Sequence, residues 1–308
     1  MIVAAGLTPA WQQILQFDAL RLGEVNRASQ AHWCSSGKVF NVGIALAHLG
    51  AECVAVSPVG ADVAERVRQE FGELGIEAKL IEQGPRTRVC TTLLDASDGT
   101  VTELVENARP LPEGVLDAME REFARLAAAA EIVVLSGSLP AETPSTFYRQ
   151  MLERTSAIAV LDARGEELLS ALEMRPFFVK PNREELIHTL GRNLEDDVAL
   201  LGGMRELNGR GAQWVVVTEG AKAVWVSSRS EAFRLQPLKL PKVVNPIGCG
   251  DCLAAGLAWG LSLGREPVDC VRIGIASAAQ NAAALLPGRL NPQRALQEAA
   301  QVAVEAIS

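Results

Sequence analysis

The pattern of hydrophobic and polar positions changes along the chain. From residue 131 onward, short runs of consecutive apolar residues alternate with segments whose apolar residues recur every three or four positions. Continuous apolar runs are typical of strands buried on both faces, and the wider spacing is typical of amphipathic helices. The alternation therefore predicts a mainly parallel sheet covered by helices. The predicted strands are EIVVLSG, AIAVLDA, PFFVKPN and WVVVTEG, and the helices between them include TPSTFYRQMLER and NREELIHTL, with Thr143 and Asn182 as N-caps.

The N-terminal third follows a different pattern. After the first strand, the segment from Trp11 to Trp33 alternates irregularly and has no helical stripe. Residues 87–106 contain two β-rich runs around Asp98-Gly99, and this dipeptide between such runs is a strong hairpin signal. These features predict a small antiparallel sheet that stands on the α/β core as a lid.

The lid is expected to consist of two insertions, about 8–36 and about 86–108, within a single domain spanning residues 1–308. Between the insertions, residues 39–50 and 62–75 predict amphipathic helices that end in glycine, the residue preferred for a left-handed C-terminal cap. The expected fold class is α/β.

Composition narrows the classes of function. The chain has 308 residues, of which 48% are apolar and 21% charged, as in proteins that bury a substantial core. Its net charge of −8 argues against a nucleic-acid partner and against a membrane surface, because both need a dense field of Lys and Arg. The N-terminus lacks the basic region of a signal peptide, and no long uninterrupted apolar run follows. We therefore expect a cytoplasmic protein.

The six cysteines raise a second class of function. Cys34, Cys53, Cys90 and Cys270 are scattered singly, whereas Cys249 and Cys252 form a C-x-x-C pair. A helix N-terminus lowers the pKa of a thiol, so Cys249 is expected to be reactive and a redox role stays open as an alternative. A zinc site is disfavoured, because a second C-x-x-C is missing and the three histidines lie far apart: His32, His48 and His188.

The segment PIGCGDC combines several features of an anion site. Gly248, Gly250 and Asp251 stand where a loop turns into an Ala- and Leu-rich helix, whose first N–H groups have no partner within the helix. Glycines leave room for a phosphate, and a carboxylate beside a hydroxyl nucleophile is the base that phosphoryl transfer uses. In the alternative interpretation, Asp251 only complements the helix dipole. Neither the Walker phosphate-binding motif nor the G-x-G-x-x-G fingerprint occurs in the chain.

Five segments in order resemble one family. SGKVFNVGIALAHLG, SGSLP, VKPNREEL, VVVTEGAKAV and VVNPIGCGDCLAAGL are similar to the successive motifs of the ribokinase-like sugar kinases of the PfkB type. SGSLP, KPN and VNPIGCGD together resemble the branch that acts on sugar phosphates: 1-phosphofructokinases, tagatose-6-phosphate kinases and minor 6-phosphofructokinases. The resemblance spans nearly the whole chain and implies a ribokinase-like fold with a small β lid.

The resemblance also implies an activity, the transfer of phosphate from ATP with Mg²⁺ to a hydroxyl of a phosphorylated ketohexose. Asp251 matches the catalytic base, and Gly248, Cys249 and Gly250 match the anion hole. Asn182 and Glu185 match an element that organises Mg²⁺, so that Glu185 acts on the metal indirectly. Contacts with ATP and its phosphates are implied for Lys180, Asn182, Glu185, Thr218, Gly220 and Asn281.

On the sugar side, the resemblance implies contacts with the sugar or its existing phosphate from Gly37, Lys38, Asn41, Arg88 and Ser138, and from Arg27 on the lid. Three departures from the family pattern put the usual substrates in question. Gln12 stands where the family has an Asp that accepts hydrogen bonds from sugar hydroxyls, and Ser36 and Val39 replace glycines. Ala223 replaces a glycine of the nucleotide segment.

Structural interpretations of single residues remain open beside these roles. Asn182 and Glu185 can form a capping box, Arg88 can be an exposed edge charge, and Ser138 can close a turn. The alternatives for the whole chain are a kinase of an unphosphorylated sugar or nucleoside, a C-x-x-C redox protein and a non-catalytic sensor of a sugar phosphate. A homodimer formed through the lid is a further expectation.

Overall fold

A computed structural model describes residues 1–82 and 86–307, which contain fourteen strands in two sheets, and ten α-helices. The strands are β1 (Ile2–Ala5), β2 (Ala10–Phe17), β3 (Gln30–Ser36), β4 (Cys53–Val59), β5 (Glu77–Glu82), β6 (Arg88–Asp95), β7 (Val101–Val105), β8 (Ile132–Ser136), β9 (Ile158–Asp162), β10 (Phe178–Val179), β11 (Trp214–Val217), β12 (Val224–Ser227), β13 (Ala232–Leu235) and β14 (Val304–Ala306). The helices are α1 (Lys38–His48), α2 (Ala61–Glu73), α3 (Val115–Ala127), α4 (Phe147–Leu152), α5 (Gly165–Ala171), α6 (Arg183–Leu190), α7 (Asp197–Arg210), α8 (Cys249–Ser262), α9 (Pro267–Ala282) and α10 (Pro292–Ala299).

The large sheet has ten strands in the order β14-β13-β12-β11-β10-β9-β8-β1-β4-β5. All neighbouring pairs from β11 to β5 are parallel, and the last three strands, β12 to β14, add antiparallel pairs at one edge. Each of the four predicted apolar runs forms a strand of this sheet. The prediction of a mainly parallel sheet is therefore confirmed.

Two apolar layers cover the large sheet, one on each face. Along β1, Ile2 and Ala4 belong to one layer, whereas Val3 and Ala5 belong to the other. Helices α1, α8 and α9 supply the first layer, and α3, α4 and α7 contribute to the second. Because parallel strands end at the same edge, the loops after β1, β8, β9, β10 and β11 meet there, where ligands of open α/β sheets bind.

The small sheet contains the strands of both predicted insertions, in the order β3-β2-β6-β7. Strands β6 and β7 form the predicted hairpin, with Gly99 at a φ of 76°. The expectation of a purely antiparallel sheet is wrong, because β2 and β6 pair in parallel. Both strands enter the small sheet after strands of the parallel large sheet, so they run in the same direction.

The predicted helix ends are confirmed at two glycines and wrong at one N-cap. Gly50 and Gly75 follow the ends of α1 and α2 with φ values of 81° and 68°. Thr143 does not cap α4, because a turn in which Phe147 donates to the carbonyl of Pro144 precedes the helix. Within the two described ranges, no helix is long and apolar enough to cross a lipid bilayer.

Candidate active site

Three loops pack tightly at the carboxyl edge of the large sheet. A Cβ atom on Gly37 would lie 2.7 Å from the carbonyl oxygen of Thr8. A Cβ atom on Gly137 would lie 2.9 Å from Oγ1 of Thr8. Both glycines also have positive φ values, 85° and 110°, which side chains rarely adopt. Lys38 and Ser138 follow these glycines directly. We refer to the space bordered by Thr8, Gly37, Ser138 and the start of α8 as the crevice.

The GCGD segment forms the predicted turn at the start of α8. Gly248 is its N-cap, with a φ of 86°, and the amide of Cys252 donates to its carbonyl. The amide of Cys249 donates to the carbonyl of Pro246, so it does not point toward an anion as expected. Among the described residues, none accepts a hydrogen bond from the amides of Gly250 and Asp251. These two groups are therefore available to an anion.

Asp251 lies in the first turn of α8, where 6% of its surface is exposed. Its Oδ2 accepts a hydrogen bond of 2.7 Å from Nδ2 of Asn41, whose Oδ1 accepts one of 3.2 Å from the hydroxyl of Ser36. Burial, and then repulsion by Asp162, raises the pKa of Asp251 to about 7, although Lys38 and the Asn41 hydrogen bond oppose the shift. A carboxyl with a pKa near the working pH is well suited to general-base catalysis.

Two lysines lie on either side of a buried carboxylate beneath the turn. Oδ1 of Asp162 is 3.0 Å from Nζ of Lys38 and 3.3 Å from Nζ of Lys180. Burial alone would raise the pKa of Asp162, but the two ammonium groups lower it. Burial alone would lower the pKa of Lys38, but the nearby carboxylates of Asp162 and Glu185 raise it. Nζ of Lys180 lies 3.4 Å from the position of a Cβ on Gly250, so a positive charge stands directly beside the free amides.

Asn182 and Glu185 form the capping box that was left open as a structural interpretation. The amide of Glu185 donates to Oδ1 of Asn182, and the amide of Asn182 donates to Oε2 of Glu185. The other carboxylate oxygen of Glu185 lies 3.5 Å from Nζ of Lys38. The capping role therefore leaves one carboxylate oxygen facing the crevice.

The residues expected to contact the nucleotide differ in their surroundings. Thr218 is half-buried after β11, and Gly220 is exposed, with open space around it. Asn281 is buried and its amide is used within the protein, because Nδ2 donates to the carbonyl of Ile247 and Oδ1 accepts from the amide of Gly288. Asn281 therefore supports the turn from behind, and the geometry does not favour its direct contact with ATP.

The C-x-x-C pair is not arranged as a reactive redox site. Cys249 and Cys252 are both free thiols on consecutive turns of α8, and each is within hydrogen-bond distance of Asn281. Burial raises the pKa of Cys249 to about 11 and also raises that of Cys252. The expectation that the helix N-terminus makes Cys249 reactive is therefore wrong, since burial outweighs the helix dipole.

The basic residues expected on the sugar side are not all close together. Arg88 donates through Nη2 to the carbonyl of Thr8 and through Nε to that of Pro9, so it lies beside the crevice. Lys38 is engaged by carboxylates, and Ser138 is half-buried after Gly137.

Arg27 lies in the exposed loop at the other end of the small sheet. Ala10 pairs with Arg88, whereas Gln16 pairs with Gln30 near the loop. The strand between Ala10 and Gln16 rises about 3.3 Å per residue, so the two ends are about 20 Å apart. One chain therefore does not bring Arg27 to the guanidinium of Arg88.

Gln12 is buried in the small sheet. Its Nε2 donates a hydrogen bond of 2.7 Å to the hydroxyl of Thr92, which is also fully buried. The side-chain oxygen is the group that stays available to a substrate.

Two features of the site were not predicted from the sequence, the buried carboxylate of Asp162 and the hydrogen bond that Ser36 donates to Asn41. Asp162 ends the apolar run AIAVLDA, and a lone carboxylate at the carboxyl end of a buried parallel strand was the signal that could have identified it. Ser36 was noted only as a replacement for glycine, although its hydroxyl orients Asn41.

Comparisons with known proteins agree with this geometry. Residues 5–294 match the model of the pfkB family of carbohydrate kinases. The chain is 31% identical to 1-phosphofructokinase of Xanthomonas campestris pv. campestris, covering 99% of this chain and 98% of that one. It is 28% identical to 1-phosphofructokinase of Vibrio cholerae, covering 90% and 88%.

A solved structure confirms the fold over the whole length. A possible 1-phosphofructokinase from Thermotoga maritima has a TM-score of 0.90 at 20% identity, with complete coverage of both chains. The family match, the 31% identical relative and the motifs of the crevice lead to one conclusion. The chain belongs to the pfkB family of carbohydrate kinases.

Proposed function

We propose that the protein transfers the γ-phosphate of ATP to a hydroxyl of a phosphorylated ketohexose. One observation carries the proposal: a buried carboxyl with a pKa of about 7, Asp251, stands at a helix N-terminus beside two free amides and a lysine. A base, an anion site and a cation at one point are what phosphoryl transfer requires. The relatives named 1-phosphofructokinase support a sugar phosphate as the acceptor.

In the proposed reaction, Asp251 acts on the acceptor hydroxyl. The hydroxyl oxygen forms a bond to the γ-phosphorus while the bond from that phosphorus to the β,γ-bridging oxygen breaks. The hydroxyl proton passes to the carboxylate of Asp251, and ADP leaves. The amides of Gly250 and Asp251, with Lys180, stabilise the charge on the transferred phosphoryl group, and Gly248 gives the turn its shape. Cys249 has no chemical role, because only its small size matters.

The residues present are compatible with Mg²⁺ that arrives on ATP. Among the described residues, no cluster of three or more metal-ligating side chains occurs, but Mg²⁺ is commonly held by one or two carboxylates together with substrate phosphates. Oε1 of Glu185, which takes no part in the capping box and lies 3.5 Å from Nζ of Lys38, is the group that would hold the ion through water, and Asn182 keeps that carboxylate in place. When bound, Mg²⁺ neutralises charge on the phosphates. Thr218 and Gly220 are proposed to lie along the nucleotide.

On the acceptor side, we propose that the sugar lies along Gly37, Asn41 and Ser138. Gln12 then recognises a hydroxyl through its uncharged side-chain oxygen. Arg88 is the proposed contact to the phosphate that the sugar already carries. The small sheet, formed by the segments at about 8–36 and 86–108, acts as a lid on the single domain 1–308.

We further propose a homodimer in which two small sheets pack together. The register aligns Trp33, Gln13, Thr91 and Leu104 in one row across the sheet, and Trp33 and Leu104 are 49% and 56% exposed. Such side chains on one sheet face suit burial against a second copy. Contact between the copies would also bring Arg27 of one copy toward the crevice of the other, whereas within one chain Arg27 does not reach Arg88. Sedimentation velocity should show a dimer that Leu104→Asp converts to a monomer, and a wild-type monomer would contradict the proposal.

A panel of acceptors tests the proposed activity. Release of ADP is measured with Mg·ATP and each of fructose 1-phosphate, fructose 6-phosphate, tagatose 6-phosphate, fructose, ribose and adenosine, and phosphorus NMR identifies the product. We expect turnover of a ketohexose phosphate with a kcat/KM at least about 100-fold above that of fructose. Preference for an unphosphorylated acceptor would favour the alternative kinase, and no turnover of any acceptor would favour the sensor.

A further inference from the structure

A cavity opens beside the crevice, between the loop after β1, the start of β6 and the segment after β7. Its volume is about 130 Å³, and its lining includes Thr8 together with Arg86, Arg88 and Arg109. We refer to it as the arginine cavity. Arg86 and Arg109 are exposed, whereas Arg88 is half-buried. Neither Arg86 nor Arg109 belongs to the motifs that carry the family resemblance.

The described charged residues that line the cavity are all arginines. None of the described residues that line it is acidic. Within residues 1–82 and 86–307, Arg86 and Arg109 form no ion pair, unlike Arg183, whose Nε lies 2.9 Å from Oε2 of Glu219. Arg88 uses Nε and Nη2 on backbone carbonyls, and none of the described residues accepts a hydrogen bond from its Nη1. Three guanidinium groups border one concave space, and carboxylates nearby include that of Asp62, which accepts a hydrogen bond from the amide of Thr87, and that of Glu103, whose pKa is raised by burial although the Arg88 guanidinium opposes the shift. The lining itself carries only positive charge, which favours an anion.

The arginine cavity adjoins the path from Asp251 to the small sheet. Arg88 donates a hydrogen bond of 2.9 Å to the carbonyl of Thr8, the same oxygen that closely faces Gly37 at the start of α1. Asn41 lies one turn further along α1, about 5.4 Å away along the axis, and donates to Asp251. A sugar whose reacting hydroxyl meets Asp251 can therefore extend past Asn41 and Gly37 until its other end enters the cavity.

We propose that the arginine cavity binds the phosphate that the acceptor sugar already carries, and that Arg86 and Arg109 complete the site begun by Arg88. The inference rests on the proposed function and specifies which residues select a phosphorylated acceptor. Guanidinium groups match a phosphate through paired, charge-assisted hydrogen bonds, which a neutral sugar cannot form. The bound ligand is thus a phosphate monoester, held with its ester oxygen toward Gly37.

Isothermal titration with fructose 1-phosphate, without nucleotide, tests the cavity directly. Arg109→Ala and Arg86→Ala should each raise the Kd about tenfold or more, because each loses a charge-assisted contact to phosphate. Arg109→Lys should recover part of the lost affinity, since lysine keeps the positive charge but lacks the paired N–H donors of the guanidinium group. Arg205→Ala is the matched control, because Arg205 is an exposed arginine on α7, which packs on β11 and β12. The Kd of Mg·ATP should stay unchanged in all four variants.

Steady-state kinetics and a competition experiment identify the source of the phosphate. Arg109→Ala should raise the KM for fructose 1-phosphate about tenfold while kcat stays within about twofold, because the contact is equal in ground and transition states. Inorganic phosphate should compete with fructose 1-phosphate in the wild type, and more weakly in Arg109→Ala. If both anions bind together in the wild type and Arg109→Ala removes only the binding of inorganic phosphate, the cavity is a separate anion site and the proposal is overturned.

Two further results separate this proposal from the proposed function. Equal affinity of Arg109→Ala and Arg205→Ala for fructose 1-phosphate would overturn the cavity assignment, even if the wild type were an active kinase. Conversely, a wild type that binds fructose 1-phosphate through Arg109 but phosphorylates no acceptor would contradict the kinase activity and support the cavity.

Discussion

The two ends of the crevice are built differently. At the transfer end, Asp251, Asp162 and Lys180 are buried, and each has a charged or hydrogen-bonded partner at a fixed distance. At the acceptor end, Arg86 and Arg109 are exposed side chains without partners among the described residues. The first end is preorganised in the folded chain, whereas the two arginines of the second end have no such fixed partners. Changes at the transfer end should therefore affect kcat and stability, and changes at the acceptor end should affect KM.

The largest predicted effect on stability comes from removing a buried charge at the transfer end. Lys180→Met leaves Asp162 with only Lys38 as a cationic partner, and an incompletely compensated buried carboxylate is costly. We expect the free energy of unfolding to fall by about 3 kcal/mol, measured by urea denaturation. Lys222→Met is the control, because its pair with Glu219 is on the surface and contributes at most about 1 kcal/mol. Equal effects of the two variants would contradict the preorganised transfer end.

At the acceptor end, Arg88→Ala should change binding and not the chemical step. Losing a charge-assisted contact weakens the binding free energy of the sugar phosphate by roughly 1.5 to 3 kcal/mol. This loss corresponds to a KM for the sugar phosphate that is about 10- to 150-fold higher. The KM for ATP should stay within about twofold. Arg88→Lys keeps the positive charge but loses the two hydrogen bonds that Arg88 donates to the carbonyls of Thr8 and Pro9, so it distinguishes the two contributions. An equal loss of ATP affinity would assign Arg88 to the transfer end.

A smaller effect is expected from Ser36, which links β3 to the base. Without its hydroxyl, the amide of Asn41 is less well oriented and stabilises the ionised form of Asp251 less. The pKa of Asp251 should then rise, and the ascending limb of kcat/KM in Ser36→Ala should move to higher pH by about 0.5 to 1 unit. Ser35→Ala is the matched control, because the neighbouring buried hydroxyl has no described partner. Identical pH profiles of the two variants would remove the role of Ser36.

The smallest effect is expected at Cys249. Cys249→Ala should keep kcat within about twofold of wild type, because its sulfur takes no part in the transfer and its amide is bonded to Pro246. Iodoacetamide should modify the thiol only slowly near neutral pH, since burial raises its pKa to about 11. Loss of turnover in the alanine variant, or a disulfide to Cys252 under mild oxidation, would revive the redox interpretation.

The parts of the site that the sequence predicted are local in the chain. Gly248, Gly250 and Asp251 are neighbours, so their turn and the start of α8 follow from residue types within a few positions. The fold was similarly accessible, because apolar runs and glycine-ended helices are local patterns. Asp162 was missed because its partner Lys38 is 124 residues away, and only the folded sheet brings the two together.

The acceptor end was harder to predict for the same reason. Arg88 and Thr8 meet because β2 and β6 pair in parallel, and alternation within a strand does not specify which strand it pairs with. The thiol of Cys249 was misjudged because the helix position is visible in the sequence, whereas the burial that outweighs it is not. Asn281 was assigned to ATP because its contacts with the turn, from α9, cannot be read from spacing.

In the proposed reaction Asp251 takes the proton from the acceptor hydroxyl, and Asp251→Asn tests this role most directly. Its folded-state pKa is about 7, so wild-type kcat/KM should fall about tenfold per unit as the pH drops below that value. In the variant, kcat should fall by about 10² to 10⁴ with KM values within a few-fold, and the limb assigned to Asp251 should vanish. The raised pKa means that ionisation of the buried carboxyl costs stability above its unfolded-state pKa, so the Tm of the variant at about pH 8 should equal or exceed that of wild type. Turnover of Asp251→Asn within tenfold of wild type, in a folded protein, would contradict the account.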